Sequence, residues 1–210
     1  MDGIKVVSFD VEGTLVTPDY SYAIWFEAIP RRYAEKNGID FERARAIVEE
    51  EYKKVGDQRL EWYDVWYWFK RLELGVPIPV MEGCRDKVYY YPEVEDLLTS
   101  LNGRYILSVA SGSPRDFLVH LLKDIEPHFA KVFSSVSDYK QLKTPGFYRE
   151  MCQVLGVHPE QVVHVGDNWQ FDVQAPTEIG IRALYLDRKG QPNNEHSLVS
   201  LAQLEQHLLD

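Results

Sequence analysis

Four short polar clusters in this chain each close an apolar run or open a helical repeat. The first is Phe9-Asp10-Val11-Glu12-Gly13-Thr14-Leu15, in which two carboxylates two residues apart form a compact acidic corner. A plain strand-to-turn junction would look the same, so this cluster needs the others. The second is Ser111-Gly112, where a hydroxyl and backbone N–H groups ahead of a helix can hold a phosphate oxygen. A simple helix cap would use the same residues. The third is Lys143, within Leu142-Lys143-Thr144-Pro145-Gly146. An ammonium there would offset repulsion between a carboxylate and a phosphate, and the nearby Lys140 is its rival for that place. The fourth is Gly166-Asp167-Asn168-Trp169-Gln170-Phe171-Asp172. Its two aspartates offer hard oxygen ligands, and magnesium takes one or two carboxylates together with waters and phosphate oxygens.

These clusters must be positioned by the elements around them. Apolar, β-rich runs at Ile4–Phe9, Tyr105–Ala110, Val132–Ser135, Gln161–Val165 and Arg182–Leu186 predict strands. Near-continuous apolar strands fit a parallel sheet covered on both faces. Ser113 is expected to cap a helix with Pro114 at its first position, carrying Phe117, Leu118, Leu121 and Leu122. Pro145 opens another helix, which Gly156 stops. Alternating strands and helices predict a doubly wound α/β core, Rossmann-like, with its site beyond the carboxyl ends of the strands. No strand alternates between about Pro18 and Tyr91. Asp40 caps a periodic helix there, and an aromatic-rich helix is expected from Glu61 to Leu74, stopped by Gly75. The expected organisation is therefore a core of residues 1–17 and 92–210, with a helical insertion at 18–91. The segment from Ser197 to Leu209 reads as a closing amphipathic helix.

Composition narrows the class. A formal net charge of −10 repels nucleic acid and anionic membranes, so neither is an expected partner. The two cysteines, Cys84 and Cys152, form no Cys-x-x-Cys pair and argue for a reducing compartment. No basic leader precedes the first apolar run and no apolar stretch is long enough to span a bilayer, so a soluble, cytoplasmic protein is expected.

Taken in order, the four clusters resemble the four motifs of the haloacid dehalogenase superfamily, specifically phosphatase-type members with a helical, C1-type cap after the first motif. The resemblance implies a doubly wound core of that family's type. It implies a magnesium-dependent phosphatase that hydrolyses a small phosphorylated metabolite through an aspartyl-phosphate on Asp10. Glu12 then matches the general acid/base, and its backbone carbonyl a metal ligand. Thr14 matches the residue that steadies the loop beside the phosphate site. Ser111 and Gly112 match the phosphate-binding hydroxyl and backbone donor, and Lys143 the cation that stabilises nucleophile and phosphoryl group. Asp167 matches the direct Mg2+ ligand, and Asp172 the second acidic residue of the metal site. One position departs from the pattern, because most such phosphatases carry Asp where this chain has Glu12. Glutamate there also resembles the Asp-x-Glu-Gly-Thr pattern of enolase-phosphatases, a match confined to that motif.

Other readings remain open. A 2-haloacid dehalogenase also uses an aspartate nucleophile, but the family pattern gives it neither metal nor an acid at the place of Glu12. A phosphomutase would share the intermediate, and a non-catalytic binding protein would share the fold. The aromatics Trp25, Trp62, Tyr63, Trp66, Tyr67, Trp68 and Phe69 either fill a helical core, line a dimer interface or form a lid over substrate. Trp62, Trp66 and Phe69 are expected on one helix face. Arg31, Arg32, Lys53, Lys54 and Arg59 are candidates to reach a second anionic group. A monomer and a homodimer are equally compatible with the sequence.

Overall fold

The computed structural model describes residues 3–190 and 196–208. Met1, Asp2 and Leu209, which entered the readings of the two termini, lie outside that range.

The described strands β1 (Val6–Phe9), β2 (Ile106–Ser111), β3 (Lys131–Ser134), β4 (Val162–Gly166), β5 (Arg182–Leu186) and β6 (Ser197–Leu198) form one sheet in the order β3-β2-β1-β4-β5-β6. Every pairing is parallel. The chain winds outward from β1 through β2 to β3, then crosses to the other side of β1 at β4. The ends of β1 and β4 therefore meet where the winding reverses, the place at which doubly wound sheets make a crevice.

Alternation along β1 builds both faces of the core. Val7 and Phe9 join a large apolar cluster with Val109, Val163 and Leu184. Val6 points the other way and packs with Phe133, Phe147, Met151 and Val162. The helix Pro145–Leu155 covers this second face; Thr144 caps it by accepting from the Phe147 amide, and Gly156 ends it in the left-handed conformation.

Between β1 and β2 the described chain is helical, including Ile29–Asn37, Phe41–Val55, Val65–Arg71 and Ile78–Gly83. Asp40 caps the second of these through the Arg43 amide, as its position predicts. Tyr20, Ile24, Tyr52, Trp68 and Phe69 are buried in the same apolar cluster as Val7 and Phe9. The chain leaves and re-enters the sheet layer side by side: Thr17 donates to the Tyr89 carbonyl at 2.8 Å, and Tyr91 to the Leu15 carbonyl at 3.1 Å.

The structure corrects three local expectations. The aromatic run is not one helix from Glu61 to Leu74. A 3-10 turn at Leu60–Tyr63 ends at Asp64, whose carboxylate then accepts from the Trp66 and Tyr67 amides and starts a new helix. Trp62 consequently lies outside the helix that carries Trp66 and Phe69. Ser113 does not cap the helix Arg115–Leu121; Pro114 takes the cap position with ψ 155°. The segment from Ser197 begins as β6, pairing with β5, and its helical part is a 3-10 helix at Leu201–His207.

Candidate active site

Asp10 follows β1 directly. Its amide extends the parallel ladder by donating to the Val165 carbonyl at 2.9 Å, which aims the side chain into the crevice. The loop behind it is tightly turned: Gly13 donates to the Val16 carbonyl, and Leu15 and Val16 both donate to Val11. Arg188, just beyond β5, donates to the Gly13 and Thr14 carbonyls at 3.2 and 2.7 Å and pairs with Glu93 at 2.8 Å. It also stacks over the Tyr91 ring at 3.4 Å. A single guanidinium thus ties the acidic loop to the far half of the sheet.

A cavity of about 280 Å3 opens above the strand ends. Asp10, Glu12, Gly112, Lys143, Asp167 and Asp172 all line it, so the sequence clusters converge on one space. Thr14 and Ser111 are buried just outside that lining. Thr14 is enclosed in the loop, and its Oγ1 has no hydrogen-bond partner among the described residues. Ser111 Oγ accepts from the Ser113 amide at 3.0 Å, which shapes the turn after β2. Lys140 is exposed and outside the wall of the cavity, so Lys143 takes the place that the two lysines contested.

Lys143 is buried between two carboxylates. Its Nζ donates to Asp10 Oδ1 at 2.8 Å and to Asp172 Oδ1. Burial works against its charge, but Asp10 and Asp172 outweigh burial and hold it well above the ordinary lysine range. Burial raises the Asp10 carboxyl to about 8; Lys143 opposes that rise, and Asp172 and Asp167 add to it. Desolvation and then the charge of Asp172 push Asp167 to about 6. Asp172 behaves oppositely: burial disfavours its charge, yet Lys143 and His164 hold it below the usual carboxylate range.

Glu12 sits two residues from Asp10 and accepts from Ser113 Oγ at 2.5 Å. Burial raises its carboxyl and the Ser113 hydrogen bond pulls the other way. The hydroxyl expected to cap a helix is thus used to orient Glu12. Ser134, at the end of β3, fixes Ser113 in turn by donating to its carbonyl at 2.8 Å.

Two glycines make room for the acids. A methyl group on Gly13, whose φ is +78°, would overlap the Asp167 carboxylate. One on Gly166 would overlap the Asp172 side chain, with Asp172 Cβ only 2.6 Å away. The Asp10, Asp167 and Asp172 carboxylates each bring one oxygen within 4.8 Å of the others. Such an oxygen-only, acid-rich cradle fits a hard divalent cation and offers nothing to a soft one.

Sequence reading missed a second tier of residues. His164 in β4 is fully buried, with Nε2 3.1 Å from Asp172 Oδ1 and Nδ1 3.1 Å from Ser8 Oγ. A carboxylate only accepts, so Nε2 carries the proton toward Asp172, while Nδ1 faces the Ser8 hydroxyl, which also reaches Met151 Sδ at 3.7 Å. Tyr148 lies against the same nitrogen at 3.0 Å and donates to the Phe171 carbonyl at 2.9 Å. The available signal was a lone histidine inside an otherwise apolar strand, which reads equally well as core. The helices between β1 and β2 contribute Trp25, Trp62 and Tyr63 to the cavity wall. Trp68 and Phe69 are core. Trp66 is exposed and donates from its indole to Asp116 at 2.9 Å, joining these helices to the sheet layer.

The fold has counterparts among known proteins. A family model for haloacid dehalogenase-like hydrolases matches residues 4–180. The solved structure of a HAD phosphatase from Thermococcus onnurineus superposes with a TM-score of 0.86 over 98% of both chains, at 24% identity. A 2-haloacid dehalogenase from Pseudomonas syringae gives a TM-score of 0.69 over 97% of both chains, at 22% identity. The GMP/IMP nucleotidase YrfG of Escherichia coli is 23% identical over 183 residues, 85% of this chain and 81% of that protein. At such identities the structural likeness is one of fold, shared by phosphatases and dehalogenases alike. With the family model covering β1 to β4, the acidic loop and all four motifs, the chain belongs to the haloacid dehalogenase-like hydrolases.

Proposed function

We propose that this hydrolase is a magnesium-dependent phosphatase acting on a small phosphate monoester. The observation that carries the reading is Glu12, a second acid in the cavity of Asp10, oriented by Ser113. A dehalogenase has no use for a proton donor beside its nucleophile or for a cradle of three carboxylates. The nucleotidase relative supports a phosphate ester as the substrate.

In this reading a bound Mg2+ would supply positive charge against the carboxylates and the phosphate. Asp10, the Glu12 backbone carbonyl and the Asp167 carboxylate would hold it. Both Asp172 oxygens are engaged, Oδ1 with Lys143 and His164 and Oδ2 with the Asn168 amide at 2.9 Å. Asp172 therefore acts chiefly by holding Lys143. Asp10 attacks phosphorus and the ester alcohol leaves with a proton from Glu12. Glu12 then takes a proton from water, which cleaves the aspartyl-phosphate. Lys143 and Gly112 balance charge on the phosphoryl oxygens, while Ser111 and Thr14 support the two loops that carry them. Residues 18–91 serve as the cap, its Trp25, Trp62 and Tyr63 roofing the site and limiting water.

The test is hydrolysis of an aryl phosphate with Mg2+ and with chelator. Activity is expected only with the metal, and not in Asp10→Asn. Glu12→Gln is expected to lower turnover by about 10²–10⁴ while Mg2+ affinity, read by calorimetry, is kept. Wild-type rates in Asp10→Asn, or full activity in chelator, would end the proposal.

A further inference from the structure

The cavity carries charge very unevenly. Four carboxylates, Asp10, Glu12, Asp167 and Asp172, line it against one ammonium, Lys143. That ammonium is already engaged by Asp10 and Asp172. The remainder of the wall is largely apolar, with Trp25, Trp62, Tyr63 and Phe117 farthest from the acids in character. Trp25 is braced by Phe117, ring centres 5.5 Å apart, and by Tyr52 at 6.0 Å. Trp62 is held against Tyr52 at 6.0 Å. Both indoles thus pack against neighbouring rings.

The cations named as candidates for a second anion all lie outside the cavity wall. Arg59 pairs with Glu61 at 2.6 Å and Lys54 with Glu51 at 2.6 Å. Arg32 donates to the Leu74 carbonyl at 2.7 Å, and Arg31 lies over the Phe41 ring. Lys53 is exposed and outside the wall. The adjoining groove, which shares Tyr63 and Pro114 with the cavity, carries Glu61, Asp64 and Asp116 against Lys140. A second phosphate or a carboxylate on the substrate would meet acids and aromatic rings with no cation to pair it, a costly burial.

Given the phosphatase reading, on which this rests, we infer that the site selects monophosphate esters whose alcohol is uncharged and presents a flat ring to Trp25 and Trp62. Selection works largely by exclusion: the wall rejects esters bearing a second anionic group. Stacking on the roof then separates ring-bearing alcohols from flexible ones.

Five esters decide the matter with Mg2+ present: an aryl phosphate, a nucleoside 5′-monophosphate, glycerol phosphate, a sugar bisphosphate and a phosphorylated hydroxy acid. The two ring esters are expected to exceed the two doubly anionic ones in kcat/KM by about tenfold or more. Glycerol phosphate should fall between. Trp62→Ala should cost the ring esters about fivefold more than it costs glycerol phosphate, and this extra loss should be largely rescued by Trp62→Phe. Calorimetric binding of the same esters to Asp10→Asn ranks them without turnover. If nothing is hydrolysed but that ranking holds, the reaction is misassigned and the selectivity stands. If the doubly anionic esters bind or react as well as the ring esters, the selectivity is overturned whatever the reaction.

Discussion

Replacing Lys143 by Met keeps the stem of the side chain and deletes its charge. At 2.8 Å from Asp10 the lost Coulomb attraction is about 6 kcal/mol at an effective dielectric of 20. Breaking a buried ion pair from one side costs about 3–5 kcal/mol net, because the abandoned carboxylates can reorganise or protonate. For a chain of 210 residues that corresponds to a Tm lower by about 6–20 °C. The loss should be smaller at pH 6 than at pH 9. Asp10 already sits near 8 with the ammonium beside it, and without Lys143 it rises further, so mild acid neutralises the unpaired charge. Removing the ammonium also disfavours the ionised Asp10 that attacks phosphorus. Together with the lost stabilisation of the phosphoryl group, kcat/KM at pH 7 is expected to fall by about 10²–10³ or more. Scanning calorimetry in chelator and aryl phosphate hydrolysis with Mg2+ read the two effects separately. Lys140→Met, on the exposed rival, should change neither. Wild-type stability and rate in Lys143→Met, or the loss appearing in Lys140→Met instead, would refute the reasoning.

Metal and protons should compete at the same oxygens. Asp10 and Asp167 are raised from 3.8 to about 8 and about 6, so the metal-free fold holds protons that the unfolded chain has released. Its stability should therefore decline as pH rises from 5 to 8, and the Tm gain from Mg2+ should widen over that window; a constant gain would count against a carboxylate-held metal. Gly166→Ala should cost about 1–3 kcal/mol and lower kcat/KM, since its methyl displaces Asp172 and hence Lys143. Gly83→Ala, where nothing lies within 4 Å, is the matched control, and equal Tm shifts in the two variants would show that the close approach at Gly166 is unimportant.

The sheet was legible because continuous apolar runs that end in polar residues seldom arise outside a covered parallel sheet. Arg182–Leu186 has the same bounds in sequence pattern and in structure, and β1 and β2 shift by a residue or two where the ladder, not hydrophobicity, sets the ends. The acids and Lys143 were legible as motif members. Their supports were not, because each depends on a partner distant in sequence. Ser8 and His164 are 156 residues apart and meet only in the folded sheet. Ser113 looked like a helix cap because the nearest local use for its hydroxyl is capping, whereas Glu12 lies 101 residues back. The break at Asp64 was hidden because the aromatic pattern on either side is equally compatible with one long helix, and only the capping hydrogen bonds interrupt it.

The central place of β1 has a consequence for how the chain comes into being. Val6 pairs with Ile106 on one side and with Val162 on the other. At about 5–20 residues per second, β4 leaves the ribosome roughly 8 to 30 s after β1. Throughout that interval β1, buried along its whole length in the folded sheet, has at least one bare edge, and no local hairpin can cover it because both neighbours are parallel. Asp10 is thus translated well before Val165, whose carbonyl completes its ladder bond. A nascent chain stalled before β4 carries the nucleophile, its apolar strand and an exposed edge for other chains to pair with, but not the fold that makes the nucleophile useful.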